Sequence, residues 1–299
     1  MKIVVTGSTG FVAKAIIKTL IANGHEVHAI VREKSDRTGI DEKSNFFVDN
    51  GSANALINLF DEIKPDGVLH LASLFLQQHK ADEIGSLVTS NITFGTRLLE
   101  ASVHSSVPWF INTGTFWQHF ENEDYNPVNL YAATKQAFQD IAKFYYETQK
   151  INFVTIKLND TFGEGDTRKK VFNLWKGLAE SGENLGMSPG DQIIDISYIE
   201  DIVEAYLLMI KHLKSDTNYS YAGNVYSVSS SERMSLKALA KEYEKATGDT
   251  LNITWGERPY RDREVMFPWD KGSPVPNWKQ KTSIKDAISK VIKKQKEES

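Results

Sequence analysis

Short apolar runs alternate with segments of helical period through the first half of the chain. Lys2 to Val5 is a strand-like run that ends at Gly7. Ala13 to Ala22 repeats its apolar positions with helical spacing, and Gly24 stands where a helix C-terminal stop belongs. Glu26 to Val31 and Asn45 to Val48 predict a second and a third strand. Ala53 to Ile63 reads as a helix stopped at Pro65, and Gly67 to Leu71 predicts a fourth strand. One long helix fits Asp82 to His104, followed by a strand from Trp109 to Asn112. A helix from about Leu130 to Gln149 and a strand from Phe153 to Leu158 complete the series. Strands alternating with helices of this length predict an α/β fold with a Rossmann-type, doubly wound parallel sheet.

The rhythm changes after Gly163. Turn clusters at Gly163 to Asp166 and Ser188 to Asp191 separate shorter elements, with helices near Ile199–Leu213 and Ser235–Thr247. No Gly/Ser or Pro linker, internal repeat or low-complexity segment divides the chain. The expected organisation is a dinucleotide-binding domain over residues 1–163 and a smaller, interleaved C-terminal substrate lobe, mainly residues 164–299. Some later elements are expected to return to the sheet. Lys290, Lys293, Lys294 and Lys296 suit the end of a solvated helix, where cations oppose the macrodipole.

Composition narrows the function classes. With 299 residues, 40% apolar and 25% charged, the chain reads as globular rather than disordered. A net charge of −4 leaves no electrostatic footprint for nucleic acid. No apolar run nears the ~18 residues of a membrane-spanning helix, so no membrane partner is expected. There is no cysteine, which removes disulfides, thiolate zinc sites and cysteine nucleophiles. No metal site is expected, and the lack of a legible secretion signal favours the cytoplasm.

Two constellations carry chemistry. Thr6-Gly-Ser-Thr-Gly-Phe-Val12 follows the first strand and opens the first helix. Gly7 permits the tight turn, Gly10 lets backbone approach a pyrophosphate, and the helix N-terminus supplies oriented N–H groups. At the end of the second strand, where an acidic residue would accept ribose hydroxyls, the chain reads Val31-Arg32-Glu33-Lys34. Arg32 can stack on adenine and pair with a 2′-phosphate, so NADP (as NADPH) is favoured and NAD stays open. The second constellation is Tyr131-Ala-Ala-Thr-Lys135, a phenol and an ammonium one helical turn apart. The spacing alone is weak, since Tyr146-Glu-Thr-Gln-Lys150 repeats it. Position separates the two, because Tyr131 lies near the start of its helix, after the strand ending at Thr113. That strand end faces the ligand crevice of a doubly wound sheet. A tyrosine with an ordinary pKa near 10 needs a neighbouring cation to exchange protons at neutral pH. Tyr131 is read as proton donor to a carbonyl oxygen, Lys135 as its electrostatic support and a holder of the nicotinamide ribose, and Thr113 as a hydrogen-bond donor to the reacting oxygen.

These residues resemble the extended short-chain dehydrogenase/reductase family of nucleotide-sugar epimerases, dehydratases and reductases, and the resemblance runs along most of the chain. Asp66-Gly-Val-Leu-His-Leu-Ala72 resembles the family's D-x-V-x-H-x-A strand. Asn91-Ile-Thr-Phe-Gly-Thr-Arg-Leu-Leu-Glu-Ala101 resembles its N-x-x-G-T-x-x-L-L-E-A helix. Gly163-Glu-Gly-Asp166, the segment Gly190 to Asp201 and Asn277-Trp-Lys-Gln-Lys281 match later signatures. The pattern is most like the CDP-abequose and CDP-paratose synthase type of 4-keto-6-deoxyhexose reductase. The resemblance implies cofactor contacts from Gly7, Thr9, Gly10, Phe11, Val12, Arg32, Asp49, Asn50, Leu71, Ala72, Ser73, Asn91, Tyr131, Lys135, Leu158 and Asn159. It implies substrate contacts from Thr115, Phe116, Asp160 and Arg261, with Trp117 beside Phe116 as a further candidate, a core role open for Phe116, and Arg258 and Arg263 as rivals of Arg261. A homodimer built on the helices Asp82–His104 and Leu130–Gln149 is implied as well.

The departures matter. Ile194 replaces the arginine of the family's R-D pair, Asp160 replaces an asparagine, and Asn112 to Gln118 replaces S-S-x-x-V-Y-G. The implied reaction is reduction of the 4-keto group of an NDP-4-keto-6-deoxyhexose, CDP-linked by preference. C3/C5 epimerisation in related enzymes uses a cysteine and a histidine, and without a cysteine only His119 is left as a lone base. An NAD-dependent nucleotide-sugar C4-epimerase is the second reading. A non-catalytic NADP-sensing protein is the third.

Overall fold

The structure, a computed structural model, describes residues 1–148 and 151–297. Lys150, half of the second Tyr-x-x-x-Lys match, lies outside the described residues. Eight parallel strands form the central sheet: β1 (Lys2–Thr6), β2 (Glu26–Val31), β3 (Asn45–Val48), β4 (Gly67–His70), β5 (Trp109–Thr115), β6 (Asn152–Leu158), and two strands from the second half of the chain. α1 (Phe11–Ala22) and α2 (Ala53–Ile63) join the first strands. Gly24 stops α1 at a φ of 77°, with its N–H on Ile21 and that of His25 on Leu20.

Side chains of successive strand residues point to opposite faces, and both faces are buried. Ile3, Val5, Leu69, Ile111, Val154 and Ile156 pack towards α1 and a helix of the second half, whereas Val4, Val68, Phe110 and Phe153 pack towards α2 and two further helices. Those two are α4 (Phe94–His104) and α5 (Leu130–Thr148). The helix expected over Asp82–His104 is not uniform. After a 3₁₀ turn at Ala81–Glu83 come α3 (Ile84–Val88), a π turn over Thr89–Thr93, and only then α4. The wide turn holds one residue more than an α turn and continues the rod without a break.

The second half adds β7 (Asp160–Phe162), α6 (Val171–Ser181), β8 (Leu185–Met187), β9 (Ile193–Ile194), β10 (Ile196–Tyr198), α7 (Ile199–Ser215), β11 (Val225–Val228), β12 (Met234–Ser235), α8 (Leu236–Thr247), β13 (Ile253–Trp255), β14 (Ser273–Pro274) and α9 (Ile284–Glu297). β11 and β14 extend the main sheet, giving the order β14-β11-β6-β5-β4-β1-β2-β3, and α7 is the helix that joins α1 on its face. The remaining short strands pair off as β7 with β10, β8 with β13 and β9 with β12. Buried carboxylates organise this half. Asp195 accepts from Ser229, the Ser230 N–H and Arg233, and Asp201 accepts from the N–H groups of Lys281 and Thr282. Trp278 donates its indole N–H to the Asp201 carbonyl at 2.8 Å, which ties the chain ahead of α9 to α7. Tyr146 stacks on Phe153 at the amino end of β6, a packing role away from the carboxyl edge of the sheet.

Candidate active site

β1 carries the chain to Gly7, whose φ is 68°. A Cβ there would lie 2.6 Å from the Ala72 nitrogen, so only glycine lets the β1–α1 turn rest on the loop after β4. Gly10 begins α1 without a side-chain cap, and no acidic residue sits in the first turn. Orphan N–H groups of that turn border a cleft of about 500 Å³ lined by Gly7 to Ala13. These residues fit a dinucleotide pyrophosphate.

Arg32 lines the cleft at the end of β2, and Glu33 does not. Asp49 lines it too, but its two oxygens receive both Arg97 terminal nitrogens at 2.9 Å each. Asn50 departs from its expected role: it is exposed, stands off the cleft and accepts from the Ser52 N–H at 3.0 Å. Leu71, Ala72 and Ser73 line the cleft as expected. Asn91 does not. It is fully buried, accepting from the Leu74 N–H at 2.7 Å while its amide donates to the Leu74 carbonyl and to Thr134. Its place is behind the wall, where it holds the loop.

Asn129 caps α5 by accepting from the Ala132 N–H at 3.0 Å, which puts Tyr131 in the first turn and on the cleft. The Phe75 ring meets Tyr131 edge to face at 5.1 Å. Burial pushes the Tyr131 phenol up to about 12, while hydrogen bonds with the Ser73 and Thr115 hydroxyls pull the other way. Lys135, one turn on, is 2% exposed and lies beneath the cleft rather than in its lining. Burial brings its ammonium down to about 8, and among the described residues no carboxylate pairs with it. At neutral pH the pair is therefore a protonated phenol above a buried cation.

Thr113 lines the cleft as expected, and β5 runs on to bring Thr115 into the lining beside Tyr131 as well. The Thr113 hydroxyl bonds to the Tyr206 hydroxyl at 2.6 Å. Tyr206, from α7, is fully buried, and its burial raises its pKa. Phe116 is also corrected. It is 3% exposed and packs on Trp269, and the neighbour that lines the cleft is Trp117.

At the other end lie Leu158, Asn159 and Asp160. Asp160 accepts from Lys170 at 2.9 Å. Arg261 stands off the cleft and pairs with Glu264 at 3.2 Å, and Arg258 and Arg263 do not line it either. The guanidinium that reaches the lining is Arg168, held by Asp166 and Thr161 and lying 4.5 Å from the Phe11 ring centroid. Its position two residues past the Gly163–Asp166 turn is the signal that points to it. His119 is turned away, with Nδ1 on the Glu123 carbonyl, Nε2 on Lys157 and its ring stacked on Trp269.

Burying an unpaired ammonium has a measurable consequence. Lys135 binds a proton more weakly in the folded chain (about 8) than unfolded (10.5), so it destabilises the fold fully below pH 8 and progressively less up to 10.5. Lys135→Met should stabilise the ligand-free protein by about 3 kcal/mol at pH 7, with the gain shrinking as pH rises through that window. Denaturant unfolding at several pH values checks this, and a variant no more stable than wild type refutes it.

Three comparisons bear on the whole chain. Residues 3–228 match the NAD dependent epimerase/dehydratase family. The CDP-abequose synthase of Salmonella typhimurium is 25% identical, over 98% of this chain and 97% of its own. Among solved structures, the UDP-glucose 4-epimerase of Thermotoga maritima with UDP-glucose superposes with a TM-score of 0.85 at 19% identity, covering 100% of this chain and 99% of that one. The UDP-glucose 4-epimerase of Thermus thermophilus in complex with NAD gives 0.80 at 20% identity, covering 98% of each. The turn at Gly7, the parallel sheet and the match over three quarters of its length lead to one statement: the chain belongs to the NAD dependent epimerase/dehydratase family.

Proposed function

We propose that this NAD(P)-dependent enzyme reduces the 4-keto group of an NDP-4-keto-6-deoxyhexose with NADPH, a CDP-linked sugar being favoured. The observation that carries the reading is the Tyr131 phenol, protonated at neutral pH and facing the cleft between the Ser73 and Thr115 hydroxyls. A nicotinamide cofactor held on the Gly7–Val12 turn would supply the hydride. Tyr131 donates its proton to the carbonyl oxygen as that carbon is reduced, and Thr115 hydrogen-bonds the same oxygen. Lys135 steadies the phenolate left behind through its field rather than by direct contact. Arg168 and Lys170, each already paired with an aspartate, offer hydrogen-bond donors for a diphosphate. The lobe formed mainly by residues 164–299 is assigned to the sugar nucleotide.

Two features weigh against related chemistries. The carboxylates that line the cleft, Asp49 and Asp160, are each tied to a cation, which leaves no free acid/base pair for dehydration. Arg32 rather than an acidic residue lines the end of β2, which suits a consumed NADPH over a retained NAD. The whole-length likeness to a CDP-abequose synthase points the same way. The solved relatives named as 4-epimerases keep C4 epimerisation with bound NAD as the second reading. Ile84, Val88 and Phe144, exposed on α3 and α5, supply apolar surface for pairing with a second copy.

The test incubates the protein and NADPH with a panel of NDP-4-keto-6-deoxyhexoses. Stoichiometric loss of nicotinamide absorbance with one donor, abolished by Tyr131→Phe without loss of NADP(H) binding, is expected. Interconversion of sugar epimers by protein carrying tight NAD would move the assignment to the epimerase. Thr115→Val should lower kcat about 100-fold. Thr113→Val should keep the rate within about tenfold and cost about 1–3 kcal/mol of stability by orphaning the Tyr206 hydroxyl. Equal kinetic losses would reverse the assignment of the two threonines. Arg32→Ala should weaken NADPH about tenfold or more and NADH little, since only NADPH offers it a charge-assisted bond. Calorimetric titration of each nucleotide decides, and equal losses would show that Arg32 does not read the 2′-phosphate.

A further inference from the structure

The turn that closes β5 buries a polar side chain behind the cleft. Gln118, in the segment that replaces S-S-x-x-V-Y-G, is fully buried and stands off the cleft. Its Oε1 accepts from the Thr115 N–H at 3.0 Å. Its Nε2 donates to Gln136 Oε1 at 2.6 Å and lies 3.4 Å from Gln139 Oε1. Both of those residues belong to α5, the helix whose first turn carries Tyr131. One buried amide thus joins the backbone of the cleft threonine to the helix of the cleft phenol.

The order of donors leaves this chain of bonds a single arrangement. A backbone N–H only donates, so Gln118 must turn its oxygen to Thr115 and its nitrogen to α5. Gln136 must then present its oxygen, and its own nitrogen donates to the Asp140 carboxylate at 2.8 Å. An ionised carboxylate only accepts, which fixes the far end as firmly as the N–H fixes the near one. Gly114 makes the reach possible, since a Cβ there would lie 3.1 Å from Gln118 Oε1 and 2.8 Å from the Lys157 stem. Within the same turn, the Trp117 N–H donates to the Thr115 hydroxyl oxygen at 3.3 Å. That bond fills an acceptor position of the hydroxyl and leaves its hydrogen for a group in the cleft.

We propose that Gln118 is a positioning residue for Thr115: it ties the end of β5 to α5, so that the Thr115 hydroxyl and the Tyr131 phenol meet the same carbonyl oxygen. This rests on reading Thr115 as the second hydrogen-bond donor to the reacting oxygen. Gln118 touches neither sugar nor cofactor, so its effect on the rate passes through Thr115 and has a ceiling. It cannot exceed what the Thr115 hydroxyl itself contributes, about 100-fold. Misplacing a group by about 1 Å is enough to forfeit much of such a contribution. An apolar side chain at position 118 would also leave the Thr115 N–H and the Gln136 oxygen without partners.

The test uses Gln118→Met, which removes both bonds at similar volume. In the ligand-free protein, hydrogen exchange at the Thr115 amide, read by NMR, should rise about tenfold or more while Phe110 and Ile111 in the middle of β5 stay protected. With NADPH and a reducible 4-keto sugar, Gln118→Met should lower kcat about tenfold and leave KM for NADPH unchanged. In a Thr115→Val background, where no hydroxyl is left to position, the same change should cost kcat less than about twofold. A tenfold loss in that background overturns the proposal, because Gln118 would then act on the fold and not through Thr115. Unchanged exchange at Thr115, or an unchanged kcat, overturns it as well. Should Gln118→Met fail to fold, Gln136→Met cuts the tie at α5 and leaves Gln118 on Thr115. Its kcat loss, about threefold, must again vanish in Thr115→Val, and a loss that persists there refutes the proposal. Raised exchange in a chain that consumes no NADPH with any sugar removes the reductase reading and leaves the tie standing; the cycle is then read on the rate of epimerisation. Unchanged exchange in a chain that does reduce a sugar removes Gln118 alone.

Discussion

Everything at the site depends on how closely two loops approach at the carboxyl end of the sheet. Strand order reverses direction between β1 and β4, and there the β1–α1 turn and the loop after β4 must share the crevice that the reversal opens. Gly7 makes this possible, since any side chain would strike the Ala72 backbone. Once the loops are seated, the first turn of α1 borders the crevice and the chain after Ala72 runs across to α5. The phosphate-binding end and the proton-donating end are thus two consequences of a single backbone contact. Fixing that contact fixes the distance between them.

A second constraint is electrostatic. The site keeps one cation, Lys135, under a helix's first turn with no counter-charge, although burial opposes its charge. A neighbouring carboxylate would remove the strain and much of the ammonium's pull on a phenolate along with it. The cleft obeys the opposite rule towards its mouth, where Asp49 with Arg97 and Asp160 with Lys170 are neutralised locally. The unpaired ammonium of Lys135 lies on the floor beneath Tyr131, where negative charge would develop.

Much of this is legible in the sequence. β2, β3 and α2 fall at the expected residues, because their periodicity is bounded by turn formers or by Pro65 on either side. The Gly7–Val12 turn and the cleft-facing Tyr131 are readable for the same reason, since short motifs with fixed backbone demands leave little freedom. The errors have a common origin in register. Extending β5 past Asn112 brings the Thr115 hydroxyl into the cleft beside that of Thr113, and hydrophobic pattern cannot tell where a buried strand stops. Asn91 reads as a cofactor contact because side-chain identity shows that a polar group is needed, not which side of a loop it serves. Arg261 and Arg168 exchange places because long side chains from distant turns converge only in three dimensions.

The π turn at Thr89–Thr93 bears on what this chain tolerates. Within it, Asn91 reaches Leu74 and steadies the loop beside Tyr131; downstream, Phe94 and Arg97 face the opposite end of the cleft. Each residue added to or taken from a helix rotates its downstream part by about 100°. Closing the wide turn into an ordinary α turn, with the sequence unchanged, would leave a more regular helix and turn Arg97 off Asp49 while Asn91 stayed in place. The wide turn works as a phase adjuster on a shared shaft, and a change that improves local geometry would uncouple the two halves of the cleft.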